Sequence, residues 1–137
     1  MYLLDTNVLS EPNRPRPDDN VSAWLEQTRA ESTFTAATVV AEMLFGAATH
    51  PDPVRRNRLH QNIEFMLQGR VAGRVLPYDL AAARVHARLL AVTRSRQRPR
   101  PDLQIAAVAL VHNLTLVTRN IRDFTDLGVP LLDPWSP

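Results

Sequence analysis

The chain has 137 residues, 45% of them apolar, and contains no cysteine. This length favours one domain with a substantial core, and the lack of thiols excludes disulfides and thiolate metal sites. The net charge is only +2, and every basic residue is arginine, which argues against a strongly basic surface. We find no signal peptide and no apolar stretch long enough to span a membrane, so we expect a cytoplasmic protein that makes no membrane contact.

Short apolar segments alternate with amphipathic ones along the chain. A first strand is predicted at Tyr2–Leu4, followed by a proline-rich loop;. The later predicted elements are a helix over 20–29, a strand over 33–36, a helix capped by Thr38 and running through Phe45, a helix over 59–67 after chain breaks at Pro51 and Pro53, a strand over 74–77, a helix capped by Asp79, a basic loop over 94–101 that prolines keep from being helical, an apolar helix over 102–112, a strand over 115–118, a helical turn through Phe124 and a strand over 129–132;. This alternation predicts an α/β fold with a compact parallel β-sheet of four to five short strands flanked by helices.

Four acidic residues lie where strands end or the following helices begin. Asp5 ends the first strand, Glu42 lies in an otherwise apolar helix, Asp102 begins the most apolar helix, and Asp123 follows the fourth predicted strand. In a parallel α/β layer these positions share one edge of the sheet, where ligands bind. We therefore expect the four carboxylates to converge.

Converging carboxylates raise one another's pKa unless a positive group neutralises them. Mg²⁺ or Mn²⁺ suits such a site, because hard cations prefer oxygen ligands. A metal held by several acids can activate water and stabilise charge on a phosphate, which is the chemistry of phosphodiester hydrolysis.

Each acid also has a simpler interpretation when it is taken alone. Asp102 could be a helix cap and Asp123 a turn residue, while Asp5 could anchor the turn after its strand. Glu42 is harder to explain in this way, since an unpaired glutamate on an apolar helix would be costly to bury, although an arginine partner could offset that cost.

Four segments resemble the motifs of PIN-domain proteins. They are Asp5-Thr6-Asn7-Val8-Leu9-Ser10-Glu11, Thr38 with Ala41-Glu42, Asp102-Leu103-Gln104-Ile105-Ala106-Ala107, and Thr118-Arg119-Asn120-Ile121-Arg122-Asp123-Phe124. Their order, spacing and the total length resemble the VapC-like toxins of type II toxin–antitoxin systems, in particular the FitB-like subgroup. The resemblance implies a PIN-like three-layer sandwich, with residues 1–137 as a single PIN domain.

The resemblance also implies an activity, a Mg²⁺- or Mn²⁺-dependent endoribonuclease that cleaves RNA with a metal-activated water. Asp5, Glu42, Asp102 and Asp123 would be the catalytic metal-binding quartet. Thr6, Asn7, Thr118 and Asn120 would orient the carboxylates and waters. The alternative is a catalytically weak PIN module that acts mainly through antitoxin binding and promoter autoregulation.

The partners implied by the resemblance are a cognate VapB-like antitoxin and a second copy of the chain in a homodimer. Promoter DNA would be bound only through the antitoxin complex. The antitoxin's C-terminal segment would lie across the active-site groove.

Several arginines are candidate RNA contacts. Arg119 and Arg122 flank the fourth motif, whereas Arg98 and Arg100 belong to the basic loop, which is either a solvated loop or a phosphate contact;. Glu11 serves the site or pairs with an arginine in its own loop, and the sequence leaves both open. Trp135 is expected to pack rather than to stack on bases.

Two other enzyme classes also use an aspartate after the first strand. A haloacid-dehalogenase-type phosphatase needs a second aspartate at position 7, where this chain has asparagine. A response-regulator receiver needs a lysine, and this chain has none. Both classes are therefore excluded.

Overall fold

A computed structural model of the chain describes residues 1–94 and 100–136, with the backbone alone at residues 100 and 101. Within these ranges the chain forms five strands and seven α-helices. In order they are β1 (Tyr2–Leu4), α1 (Thr6–Ser10), α2 (Asp19–Gln27), β2 (Thr33–Ala36), α3 (Ala37–Ala48), α4 (Pro53–Gln68), β3 (Val75–Leu76), α5 (Leu80–Thr93), α6 (Arg100–Val111), β4 (Thr115–Val117), α7 (Ile121–Phe124) and β5 (Leu131–Leu132). None of the described helices is long and apolar enough to cross a membrane.

The five strands form one parallel sheet in the order β3-β2-β1-β4-β5. The predicted α/β fold class and strand number are thus confirmed. β1 lies in the centre, and Leu3 is paired with Phe34 on one side and Leu116 on the other. The carboxyl end of β1 therefore lies between the carboxyl ends of β2 and β4.

The central strands are covered on both faces, as parallel strands usually are. Leu3, Leu4, Leu116 and Val117 are completely buried. Helix α6 is buried almost all round, since residues 105–109 are at most 2% exposed, and it packs against α3, α5 and α7. This agrees with its apolar sequence and places α6 against the helices that follow β2 and β4.

Two helices begin at or before prolines that we expected to lie outside them. Helix α4 begins at Pro53, with Asp52 as its N-cap, and not near residue 59. Helix α6 begins at Arg100 and includes Pro101, so this part of the basic loop is helical. In both cases the physical reason is that the first turn of a helix needs no N–H donor, so proline is tolerated there.

Helix α1 was not predicted, because its five residues are too few to show a helical period. The sequence signal for it is the N-cap, since the Asp5 carboxylate accepts a hydrogen bond from the Thr6 backbone N–H at 2.8 Å;. Helix α3 also differs from the prediction, because it begins at Ala37 and runs to Ala48, without a side-chain cap. Thr38 therefore lies inside this helix and does not cap it.

Candidate active site

Asp5 lies at the carboxyl end of the central strand and is 6% exposed. Its backbone N–H donates to the Val117 carbonyl at 3.0 Å, so the pairing of β1 with β4 continues to this residue. The backbone then turns into α1, and the carboxylate caps that helix. The sheet and the helix together fix the position of this side chain.

Each carboxylate oxygen of Asp5 accepts a hydrogen bond. The Thr6 backbone N–H donates to Oδ1 and the Thr118 hydroxyl donates to Oδ2, both at 2.8 Å. Thr118 is fully buried at the end of β4, and its Oγ1 also accepts from the Asn120 backbone N–H at 3.1 Å. Thr118 thus links the central strand to the turn that follows β4.

The pKa of Asp5 is raised above its ordinary value, and burial is the main cause. The hydrogen bonds from Thr6 and Thr118 lower the pKa but do not cancel this effect. The nearby carboxylates of Glu42 and Asp123 raise it further;. The two charged groups that act on the pKa of Asp5 are therefore both negative, which favours the binding of a cation beside Asp5.

Glu42 reaches the same site from α3, but its side chain is exposed. The burial cost considered for Glu42 therefore does not arise, because α3 turns this face toward solvent. The Thr6 hydroxyl donates to Glu42 Oε2 at 2.9 Å, while the Thr6 N–H bonds Asp5. One residue therefore connects two of the predicted site carboxylates.

Asp102 and Asp123 lie in the first turns of α6 and α7, and both are half-buried. These helices pack against each other, and Asp123 is near enough to act on the Asp5 carboxylate. In the part of the chain that the structure describes, no three acidic or histidine side chains form a cluster that could hold a metal ion. Asp5, Glu42 and Asp123 therefore share one edge of the sheet, but these described acids do not close into a preformed cage.

The other predicted site residues lie around this edge. Asn7 Oδ1 accepts from the Arg119 backbone N–H at 3.4 Å, which joins α1 to the turn after β4. Asn120 is exposed and makes no side-chain cap of α7. Arg122 is exposed on α7. Arg98 lies outside the described residues, and Arg100 is described only by its backbone position at the start of α6.

Glu11 belongs to its own loop and not to the group around Asp5. It is 5% exposed, its Oε2 lies 3.6 Å from Arg14 Nε, and its Oε1 accepts from the Asp18 backbone N–H at 3.0 Å. The structure thus decides between the two alternatives in favour of the arginine pair.

Two features of the site were missed in the sequence. The Thr38 hydroxyl is buried without a hydrogen-bond partner among the described residues, one helical turn before Glu42;. The position of Thr38 in the second motif could have indicated a site residue, whereas the local sequence predicts Thr38 only as a helix cap. The Arg119 guanidinium lies 5.3 Å from the centre of the Trp135 ring, a contact that no local sequence pattern reveals.

Two adjoining grooves lie beside the site, with volumes of about 330 and 350 Å³. Leu9, Asn13, Asn62 and Met66 line both of them. The second groove extends to Thr6 and Glu42, so it opens directly onto the candidate active site.

The raised pKa of Asp5 predicts a pH-dependent effect of Asp5→Asn on stability in EDTA. Because the folded-state pKa is raised, the contribution of Asp5 to stability is fully present below the unfolded pKa, near 3.9 for an ordinary aspartate, and is lost as pH rises through the folded value. The variant does not titrate at this position. We expect Asp5→Asn to become progressively more stable relative to the wild type as pH rises from about 4 through the raised folded-state pKa of Asp5;.

Chemical denaturation at several pH values measures this difference, and the exposed Glu64→Gln serves as the matched control. A difference between Asp5→Asn and wild type that stays constant with pH, or that reverses in sign at neutral pH, would contradict the assignment of a raised pKa.

Comparison with known proteins places the chain in a family. The PIN domain model matches residues 2–129. The chain is 38% identical to Toxin FitB of Neisseria gonorrhoeae, over 98% of this chain and 99% of that protein. It is 37% identical to VapC ribonuclease Y4jK of Sinorhizobium fredii, over 100% and 99% of the two chains. The crystal structure of FitAcB from N. gonorrhoeae superposes with a TM-score of 0.90 at 37% identity and covers 100% of both chains. The chain therefore belongs to the PIN-domain family, in the group of VapC-like toxins that includes Toxin FitB.

Proposed function

We propose that this chain is the toxin of a type II toxin–antitoxin system and a Mg²⁺- or Mn²⁺-dependent endoribonuclease that hydrolyses RNA phosphodiester bonds. Two related proteins are named a toxin and a ribonuclease, which supports the class of activity. The observation that carries the proposal is the buried Asp5 carboxylate, which faces the carboxylates of Glu42 and Asp123.

The residues at this edge of the sheet fit a hard divalent cation. The donors are carboxylate oxygens, which Mg²⁺ and Mn²⁺ prefer. Repulsion from Glu42 and Asp123 already opposes the negative charge on Asp5, so a cation would relieve a cost that is present in the fold;. The Thr38 hydroxyl lies one turn from Glu42 and has no hydrogen-bond partner among the described residues, so it offers a further polar group that a hydrated ion could use;.

Asp5 and Asp102 would be the principal ligands, while Glu42 and Asp123 would bind directly, through waters, or at a second ion. A bound cation supplies what these side chains lack, because it lowers the pKa of a water and offsets charge on the phosphate. Thr118 and Thr6 hold Asp5 and Glu42 in place through the hydrogen bonds described above;. Selectivity for RNA would come from the groove.

A second function has one observation in its favour. Because the described acids form no complete metal cluster, the chain could be a catalytically weak module that acts through antitoxin binding and promoter autoregulation. RNA cleavage by the purified chain separates the two functions.

We expect the wild-type chain to cleave RNA with Mg²⁺ or Mn²⁺ and to be inactive in EDTA. Asp5→Asn and Glu42→Gln should lower the cleavage rate by more than about 100-fold, because each removes a candidate ligand without changing side-chain size. Gel analysis of a panel of labelled RNAs measures the rate. Titration of Mg²⁺ while the melting temperature is followed gives a readout independent of activity, since a ligand that binds the folded state stabilises it.

Glu64→Gln, an exposed acid on α4, is the matched control and should behave as the wild type. Equal cleavage by wild type and Asp5→Asn would reveal a contaminating nuclease and remove the catalytic assignment. A wild-type chain that cleaves none of the RNAs would favour the weak module.

We also propose that the cognate antitoxin binds in the two grooves and reaches the active site. The grooves are mostly apolar, and their volumes suit side chains of a partner segment;. Phe65 lines the first groove and is 82% exposed. Together with the apolar lining of this groove, the exposed aromatic side chain supports an interaction surface here;.

Phe65→Ser should weaken antitoxin binding by about 10-fold or more and leave RNA cleavage unchanged, because Phe65 lines the groove away from the carboxylates. Isothermal titration with the cognate antitoxin measures the affinity. Val54→Ser provides a control, since Val54 is also highly exposed on α4 and does not line either groove. Unchanged affinity for Phe65→Ser would place the antitoxin elsewhere.

A homodimer is proposed from the family resemblance. Its support in the structure is the set of large apolar side chains that face solvent on α3 and α5, namely Phe45, Leu80 and Val92, each between 66% and 69% exposed;. Light scattering should give twice the mass of the 15.4 kDa chain. A mass of one chain at micromolar concentration would contradict the dimer.

A further inference from the structure

The segment Asp133–Ser136 runs along the same edge of the sheet as the candidate active site. The Thr118 N–H donates to the Leu132 carbonyl at 3.0 Å, so β5 leaves the sheet beside the residue that bonds Asp5. The Trp135 N–H donates to Asp133 Oδ1 at 2.9 Å, and Asn20 Nδ2 donates to the Trp135 carbonyl at 3.1 Å. The backbone of Trp135 is therefore held from both sides.

Arg119 lies between this segment and the site. It directly follows Thr118, and its backbone N–H contacts Asn7 Oδ1. Its guanidinium lies over the Trp135 ring, 5.3 Å from the ring centre. Arg119 is exposed, and in residues 1–94 and 100–136 no hydrogen bond or ion pair uses its guanidinium N–H groups. The indole face thus orients the cation, while its donors remain available.

The positive charge of Arg119 would favour the binding of RNA at this site. An incoming phosphodiester must approach Asp5, Glu42 and Asp123, whose charges repel it;. A guanidinium on the residue that directly follows Thr118 can oppose that repulsion and can bond phosphate oxygens with its planar donors;. Because stacking on Trp135 already restricts the arginine side chain, less conformational entropy is lost when phosphate binds.

We propose that Trp135 is a positioning residue that holds Arg119 as a phosphate-binding residue at the mouth of the active site. This inference rests on the proposed ribonuclease function. It assigns the indole face of Trp135 to the arginine and not to an RNA base.

The test measures binding of a fluorescein-labelled single-stranded RNA in EDTA, where the RNA stays intact and no metal is needed. Arg119→Gln should weaken binding by about five-fold near 0.1 M salt and should reduce the slope of log affinity against log salt by about 0.7, the loss of one phosphate contact on a single strand. Trp135→Leu should weaken binding by about two- to five-fold, and Trp135→Phe should restore most of the loss because it keeps an aromatic face.

The double variant Arg119→Gln/Trp135→Leu should bind no more weakly than Arg119→Gln alone, since the indole acts through the arginine. Arg58→Gln is the matched control, because it removes the same charge from an exposed position on α4. If Trp135→Leu fails to fold, Arg119→Gln alone still tests the phosphate contact. Trp135→Phe then tests the positioning role, because its slope of log RNA affinity against log salt should stay at the wild-type value.

Three results would overturn the inference. The first is an equal loss of RNA affinity in Arg58→Gln and Arg119→Gln, and the second is additive losses of RNA affinity in the double variant. The third is Arg119→Gln with unchanged RNA binding and weaker antitoxin binding, which would make Arg119 an antitoxin contact. The proposed function fails separately, when the wild type binds RNA but cleaves none. In a chain that cleaves RNA, Arg119→Gln should raise KM with kcat retained, and a fall in kcat alone would also overturn the inference.

Discussion

The hydrogen bond from the Thr118 hydroxyl to Asp5 is the contact on which the rest of the site depends. It joins residues 113 positions apart and connects the two central strands at their carboxyl ends. A carboxylate that is 6% exposed would be costly without donors;. The hydrogen bonds from Thr118 and Thr6 offset part of this cost, but the pKa of Asp5 stays raised. The fold therefore retains a carboxylate that is better accommodated when positive charge is present.

The order of the strands explains why further acids face this carboxylate. β1 is central, so the helices that follow β2 and β4 begin on either side of its end. Helix α3 brings Glu42 and α7 brings Asp123, while α6 packs against both of these helices and carries Asp102 in its first turn. The charges of Glu42 and Asp123 raise the pKa of Asp5, so repulsion between these carboxylates opposes the ionised form of Asp5;. This repulsion is the physical basis of the proposed metal site.

Residues around the carboxylates divide into those that fix the site and those that face a ligand. Thr6 fixes two carboxylates at once, and Asn7 joins α1 to the turn after β4. The grooves and Phe65 face outward, as does the guanidinium of Arg119 on the Trp135 ring. In the proposed function, Arg119 stacked on Trp135 would give an RNA phosphate a favourable contact that offsets repulsion from the acids;.

Local sequence determined the elements that depend on short-range physics. The alternation of apolar segments predicted the α/β class, and Asp79 marked the start of α5 because capping is decided within one turn;. The motifs named Asp5 and its three acidic partners as site candidates. Only the tertiary structure decided the strand order, the exposure of Glu42 and the contacts of Thr118 and Trp135. These depend on contacts between residues distant in the chain or on which face of a helix meets solvent, and local propensity carries neither kind of information.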